Sequence, residues 1–142
     1  MPQPSTPRQR AAAECARRGR SEFVAGCVRL VLGDESELDL VRALTGGSAA
    51  KYLDGREHQD TYWFRVWGMR ALLWEWDASA TDAVRAGLTD EAWRVREMAA
   101  KVIARHLVGD LTESVATLRA DPVPRVRAAA ERALARLLAA GA

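Results

Sequence analysis

Few side chains in this 142-residue sequence are suited to catalysis or metal binding, and the two histidines are the first to consider. His58 lies in the charged run REHQD beside Glu57 and Asp60, so it could bind a metal ion or act as a base; a solvated ring is the other interpretation. His106 comes late in a predicted helix, where the helix dipole stabilises a cation. No nucleophile elbow, glycine-rich phosphate loop or paired Cys/His spacing accompanies them. We therefore predict that the protein is not an enzyme and has no catalytic, cofactor-binding or metal-binding residues.

The cysteines and the composition narrow the class of protein further. Cys27 falls twelve residues after Cys15, within an apolar helical stretch, so we expect it to be a buried free thiol. Only Lys51 and Lys101 among the 21 basic residues are lysine, a bias typical of a GC-rich bacterial genome. The N-terminal sequence is polar and broken by proline, and no apolar run approaches the ~20 residues of a membrane span. These features predict a cytoplasmic protein without a signal peptide or membrane segment.

One tryptophan-rich stretch is predicted to be the central element of the fold. Residues 62–77, YWFRVWGMRALLWEWD, contain four of the five tryptophans and are apolar on nearly every side of a helix. A helix of that kind is normally buried among other elements. We expect the remaining helices to pack around it.

The rest of the sequence predicts further helices and no strand, because nothing alternates with a period of two residues. Thr6 or Ser5 is expected to cap the first helix with Pro7 at its first position, and Ser21 to cap the second. Residues 45–61, rich in glycine and charge, are expected to form an irregular excursion with one helical turn at 48–53. Residues 1–7 are predicted to be a disordered tail and 8–142 a single all-α domain. The predicted helices cover 8–18, 22–32, 37–44, 81–88, 91–108, 111–120 and 122–139.

An internal repeat organises the second half of the chain. The run 65–69, RVWGM, aligns with 94–98, RVREM, and with 125–129, RVRAA, at spacings of 29 and 31 residues. A shorter helix is predicted between each pair of long ones. Helix pairs repeating every 20–50 residues or so are typical of an α-solenoid, in which neighbouring pairs share one elongated core. This register predicts that Val95, Met98, Val102, Ile103 and Val126 are buried.

The pattern D-x4-V-R-x2-A/M, at Asp90…Val95-Arg96 and Asp121…Val126-Arg127, resembles the HEAT repeat. It is most similar to the short-period repeats of phycobilin-lyase-like proteins, and the resemblance covers residues 77–140. It implies a right-handed solenoid of three to four helix pairs with outer helices at 22–32, 62–77, 91–108 and 122–139. It also implies a structural ladder of Asp and Arg side chains between repeats, with Asp121 capping its helix ahead of Pro122. The ladder residues would be Asp90, Arg96, Asp121 and Arg127.

The first full repeat departs from this pattern at Trp67, which stands where the later repeats have Arg96 and Arg127. One interpretation is that Trp67 packs against residues 45–61 and replaces polar linkage by apolar burial. The other is an exposed aromatic anchor for a partner, because Trp is enriched in binding hot spots. Irregular segments on rigid scaffolds often carry recognition residues. We therefore predict a partner-binding surface formed by Tyr52, His58, Tyr62, Trp63 and Trp67.

Two classes of function fit these features. The first is a non-catalytic scaffold or adaptor that binds another protein, with homo-oligomerisation as a further possibility. The second is a nucleic-acid-binding or base-excision protein, because glycosylases built of DNA-alkylation repeats resemble the HEAT architecture. The short inner helices carry mixed charge, which disfavours a nucleic-acid groove. A lyase-accessory role is implied by the family resemblance alone. We expect a protein partner and no membrane.

Overall fold

A computed structural model describes residues 6–141, which form eight α-helices joined by turns and short 3₁₀ helices, with no strand in this part of the chain. The prediction of an all-α protein is confirmed. The chain divides into two compact units, an N-terminal unit ending at Ala80 and a C-terminal unit beginning at Thr81. The α-helices are α1 (Pro7–Arg18), α2 (Arg20–Val31), α3 (Leu38–Thr45), α4 (Tyr62–Trp74), α5 (Thr81–Gly87), α6 (Trp93–His106), α7 (Thr112–Ala116) and α8 (Pro124–Ala139). The 3₁₀ helices are Gly46–Leu53, Ala78–Ala80, Gly109–Leu111 and Thr117–Ala120.

The start of α1 forms as the sequence predicts. The Thr6 side chain accepts a hydrogen bond from the Gln9 amide, Gln9 bonds back to the Thr6 amide, and Pro7 is the first helical residue. This reciprocal pair satisfies two amide groups that the helix itself cannot. The rest of the predicted tail, residues 1–5, lies outside the described residues.

The predicted cap at Ser21 is wrong, because α2 begins earlier. Gly19 has a φ of +87°, a conformation that favours glycine, and its carbonyl accepts the first helical hydrogen bond from Phe23. The chain thus turns at Gly19 between α1 and α2, and Ser21 falls inside the first turn of α2.

In the N-terminal unit, α4 packs against α1, α2 and α3. Helix α4 approaches α2 closely at Gly68, where an added Cβ would lie 2.8 Å from the Cβ of Leu30 and 3.0 Å from the carbonyl oxygen of Cys27. Helix α4 ends at Trp74 rather than at Asp77, because Glu75 has an extended backbone. A turn then follows, in which the Asp77 carboxylate accepts a hydrogen bond from the Ser79 amide.

In the C-terminal unit, α6 packs along α8, with α5 against α6 and α7 against α8. The predicted burial is confirmed for Val95, Val102, Ile103 and Val126. Met98 is only half-buried, so the prediction for it is wrong. The buried arc of α6 runs from Val102 through Ile103 and on to Glu97, and at 100° per residue Met98 falls just outside it.

Both long helices of this unit begin two residues later than predicted, for the same reason. The carboxylates of Asp90 and Asp121 accept hydrogen bonds from the amides of Ala92 and Val123, at 2.8 and 2.9 Å, and so form turns ahead of the helices. Asp121 therefore does not cap α8, and the proline at the start of α8 is Pro124 rather than Pro122.

Candidate functional site

The irregular segment between α3 and α4 builds a folded feature of its own. The 3₁₀ helix Gly46–Leu53 carries Lys51 and Tyr52, and the chain then turns back through residues 54–61 into α4. The Lys51 ammonium lies 2.7 Å from the Asp60 carboxylate, and the Tyr52 hydroxyl donates to the Asp60 carbonyl at 3.4 Å. These contacts tie the end of the segment to its middle.

A second contact closes the turn within the segment. The Asp54 carboxylate accepts a hydrogen bond from the Arg56 amide at 2.9 Å and lies 3.0 Å from Nε2 of His58. The bond from the Arg56 amide, and then the contact with His58, lower the pKa of Asp54. An ionised Asp54 orients the imidazole, whose ring also meets the edge of Tyr52 with centroids 5.0 Å apart.

Tyr52 is the centre of an aromatic cluster that joins the segment to α4. Its ring makes edge contacts with Phe64 and Trp67, with centroids 5.1 and 5.9 Å apart. Trp67 stacks on Trp63 at 6.2 Å, and Trp63 stacks on Tyr62 at 5.3 Å. Edge and offset-stacked geometries are the favourable ones for aromatic pairs. The cluster therefore holds the irregular segment 45–61 against α4.

The structure brings all five residues of the predicted surface together but buries them unequally. Tyr52 is 8% exposed and Trp67 is 9% exposed, whereas His58, Tyr62 and Trp63 are half-buried. Of the two roles predicted for Trp67, packing against residues 45–61 is the one observed. The accessible part of the set is formed by His58, Tyr62 and Trp63.

A cleft of about 420 Å³ lies beside this cluster. Its walls combine apolar side chains with acidic and basic ones, an arrangement that can hold a partner's side chains by contact and orient them by charge. The lining residues are Glu35, Leu38, Tyr52, Arg56, Glu57, His58, Thr61 and Phe64. Sequence reasoning missed Glu35 and Leu38, which come from the turn after α2 and from the start of α3. No local pattern links them to the later segment.

The charges of the segment are held by local partners. Hydrogen bonding by Lys51 lowers the pKa of Asp60, and the same contact raises the pKa of Lys51. Burial raises the pKa of the Tyr52 hydroxyl, which stays protonated as a donor. The Lys51–Asp60 ion pair and the Tyr52 hydroxyl thus hold the end of the segment against its middle.

Both cysteines are buried and free, as predicted for Cys27. Burial raises the pKa of the Cys27 thiol to about 12, so it carries almost no thiolate at neutral pH and is a poor nucleophile. Among residues 6–141, no three His, Cys, Asp or Glu side chains gather as a metal ion would require. Within the same residues, no helix has the length and apolar character to cross a membrane.

The C-terminal unit carries a different feature, a set of charged contacts between its two long helices. Arg96 donates to both carboxylate oxygens of Asp121, at 2.7 and 3.1 Å, and to the carbonyl of Asp90 at 2.9 Å. Arg127 donates to the carbonyl of Asp121 at 2.7 Å, which repeats the Arg96–Asp90 contact one repeat later. Burial opposes ionisation of Asp121, but the bonds from Arg96 and the Val123 amide outweigh it and lower its pKa.

A second ion pair links the same two helices and was not predicted. Arg125 donates to both oxygens of Glu97, at 2.9 and 3.1 Å, and Glu97 is only 6% exposed. The Arg125 guanidinium also lies 5.1 Å from the centroid of the Trp93 ring. The repeat alignment contained a signal for this pair. Arg125 aligns with Arg94, 31 residues earlier, and Glu97 lies three residues after Arg94 on the same helix.

Comparison of the chain with protein-family models, with curated proteins and with solved structures found no match.

Proposed function

We propose that this protein is a non-catalytic, HEAT-like α-solenoid scaffold that binds another protein through the cleft beside Tyr52. The observation that carries the proposal is a 420 Å³ cleft that meets the aromatic cluster. Tyr52 and Phe64 line the cleft, and Tyr52 contacts Trp67, on which the half-buried Trp63 stacks. Binding energy in protein interfaces concentrates in such side chains, especially Trp and Tyr, next to pockets.

The solenoid part of the proposal is supported by the repeated local geometry in the C-terminal unit. Asp90 and Asp121 make the same turn before α6 and α8, and Arg96 and Arg127 make the same bond to the preceding Asp carbonyl. Equal local structure at a 31-residue spacing is what stacked helix pairs require. The HEAT resemblance of the Asp and Arg positions points the same way.

The chemistry of the cleft defines the kind of partner segment that would fit. Leu38, Tyr52 and Phe64 supply apolar contact, and the acidic Glu35 and Glu57 outnumber the basic Arg56. A short segment presenting one apolar side chain next to a basic one complements this lining. Charge of this kind contributes mainly to selectivity and association rate, and the apolar contact to affinity.

The proposal is tested by photocrosslinking followed by quantitative binding. A photoreactive amino acid at Tyr62 should capture a specific partner in cells of the source organism, and the purified partner should then bind the purified chain. Trp63→Ala and Leu38→Asp should each weaken that binding about tenfold or more, the loss expected for a hot-spot side chain. The control is Leu138→Ala, which truncates an apolar side chain that is 80% exposed in α8.

Two results would overturn the proposal. One is a purified partner whose affinity is lowered by Leu138→Ala and not by Trp63→Ala or Leu38→Asp, because the binding surface would then lie in the C-terminal unit. The other is tight binding to DNA that falls steeply with added salt, which would favour the nucleic-acid-binding alternative.

A further inference from the structure

Helix α6 shows what covers one face of a long helix in the C-terminal unit. On this face Arg96 donates to both carboxylate oxygens of Asp121, which lies ahead of α8. Ile103 follows seven residues after Arg96, on the same side of α6, and is fully buried. The carbonyl of Ala104 accepts a hydrogen bond from Arg136 of α8 at 2.8 Å. Helix α8 thus covers this face of α6, and an Arg–Asp ion pair joins the two helices.

The corresponding face of α8 presents the same types of side chain but is left open. At the repeat spacing of 31 residues, Arg127 corresponds to Arg96 and Leu134 to Ile103. Within residues 6–141, no carboxylate pairs with the guanidinium group of Arg127. Leu134 is only half-buried, and Leu138, one turn further along the same side, is 80% exposed. An outer helix that ends a repeat array normally has a polar outer face, so these leucines are unusual for such a position.

The donors that Arg127 leaves unused are the ones that bind the next repeat in α6. In Arg96, Nη1 donates to the carbonyl of Asp90, while Nε and Nη2 donate to the Asp121 carboxylate. In Arg127, Nη1 donates to the carbonyl of Asp121 in the same way. This bond orients the half-buried guanidinium group and leaves Nε and Nη2 for a carboxylate, which they would bind in a bidentate pair.

We propose that this face of α8 docks a helix pair of another protein, one that carries an aspartate ahead of its long helix, as Asp121 lies ahead of α8. The partner's carboxylate accepts bonds from Nε and Nη2 of Arg127, and its apolar side chains cover Leu134 and Leu138. The exposed carboxylate of Glu131, one turn after Arg127, pairs with a basic side chain of the partner.

A second copy of this chain is a less suitable occupant. Its aspartate ahead of α8, Asp121, is only 7% exposed and is already bonded to Arg96 and to the Val123 amide. A different chain that carries a free aspartate in this position meets no such competition. The equivalence of α6 and α8 carries this proposal independently of the cleft beside Tyr52.

The test supplies such a helix pair in cis, as a second copy of residues 109–139 inserted directly after Ala139. The copied aspartate then falls 31 residues after Asp121, and the tether holds the pair at a high effective concentration next to α8. We expect the added pair to fold, so that the far-ultraviolet ellipticity per residue equals that of the wild type. Leu134→Ala should lower the melting temperature by about 3 °C or more beyond its effect in the wild-type chain, because the leucine becomes covered.

Arg127→Gln tests the polar contact in the same two chains. In the elongated chain it should lower the melting temperature by about 3 °C or more beyond its effect in the wild type, because a charge-assisted pair is lost as well. The matched control is Arg132→Gln, which removes the same charge from an exposed position on another side of α8 and should act equally in both chains.

Three results would overturn the proposal. The first is an added copy that stays unfolded, seen as a lower ellipticity per residue. The second is an effect of Arg127→Gln that is equal in the elongated and wild-type chains. The third is a wild-type dimer in sedimentation velocity that Leu138→Asp dissociates, because a second copy of the chain would then occupy this face.

Discussion

The two units place different side chains at the same repeat positions, and the difference shows two ways of joining helices. At the position after the repeat valine, the N-terminal unit has Trp67, buried in an aromatic cluster, whereas the C-terminal unit has Arg96, bonded to Asp121. At the next position, Gly68 lets α2 and α4 approach closely, whereas Glu97 receives a bidentate Arg125. At these two positions the N-terminal unit has apolar contact and backbone proximity, and the C-terminal unit has directed ion pairs.

The largest expected loss of stability follows from placing the arginine of the C-terminal repeats at the tryptophan position of the N-terminal unit. Trp67→Arg removes a 9% exposed ring from the aromatic cluster and places a charge among the rings of Tyr52 and Phe64. We expect the free energy of unfolding to fall by about 3–5 kcal/mol, as for large aromatic truncations in cores. Chemical denaturation checks this. A loss below about 1 kcal/mol, the range of ordinary surface substitutions, would mean that the cluster contributes little.

The ion pair should show a smaller but specific effect. Arg96→Ala leaves the carboxylate of Asp121, which is only 7% exposed, without its main partner, and should cost about 2–4 kcal/mol. In a double-mutant cycle with Asp121→Asn, the two losses should be strongly non-additive. Additive losses would show that Arg96 and Asp121 act separately.

The close approach at Gly68 gives the third prediction. Gly68→Ala brings a Cβ to 2.8 Å from Leu30, so α2 and α4 must separate slightly, at a cost of about 1–3 kcal/mol. Gly47→Ala is the control, because a Cβ there meets nothing within 4 Å. The thermal midpoints of the two variants should differ clearly. Equal midpoints would mean that the helices adjust without strain.

The smallest expected effect concerns pH. The pKa of Asp121 is lowered in the folded state, so its contribution to stability is present above the unfolded-state value of about 3.9 and is lost as pH falls through the lower folded value. Asp121→Asn should therefore lose less stability between pH 6 and pH 3 than the wild type does. Identical pH profiles of the unfolding free energy would contradict this.

Hydrophobic periodicity predicted α2, α4, α6 and α8, because each buries apolar side chains at a regular spacing that is visible in the sequence. Helix α1 was predicted instead from its capping residues and from Gly19. The helix starts at Trp93 and Pro124 were misplaced, since an Asp before a helix can bond two residues along instead of capping. The nearness of Tyr52 to Trp67 was anticipated from the irregular segment. The role of Glu35 and Leu38 in the cleft was not, because it depends on contacts between distant parts of the chain.

Both cysteines are buried in the N-terminal unit, so their reaction with a thiol reagent reports the opening of that unit. Cys15 and Cys27 are the only thiols in the sequence, and each must leave the interior before a reagent such as an aromatic disulfide can modify it. Under conditions where reclosing is faster than modification, the labelling rate measures the equilibrium between closed and open forms. The C-terminal unit contributes no thiol to this measurement, so the opening equilibrium of the N-terminal unit can be followed in the intact chain without an engineered label.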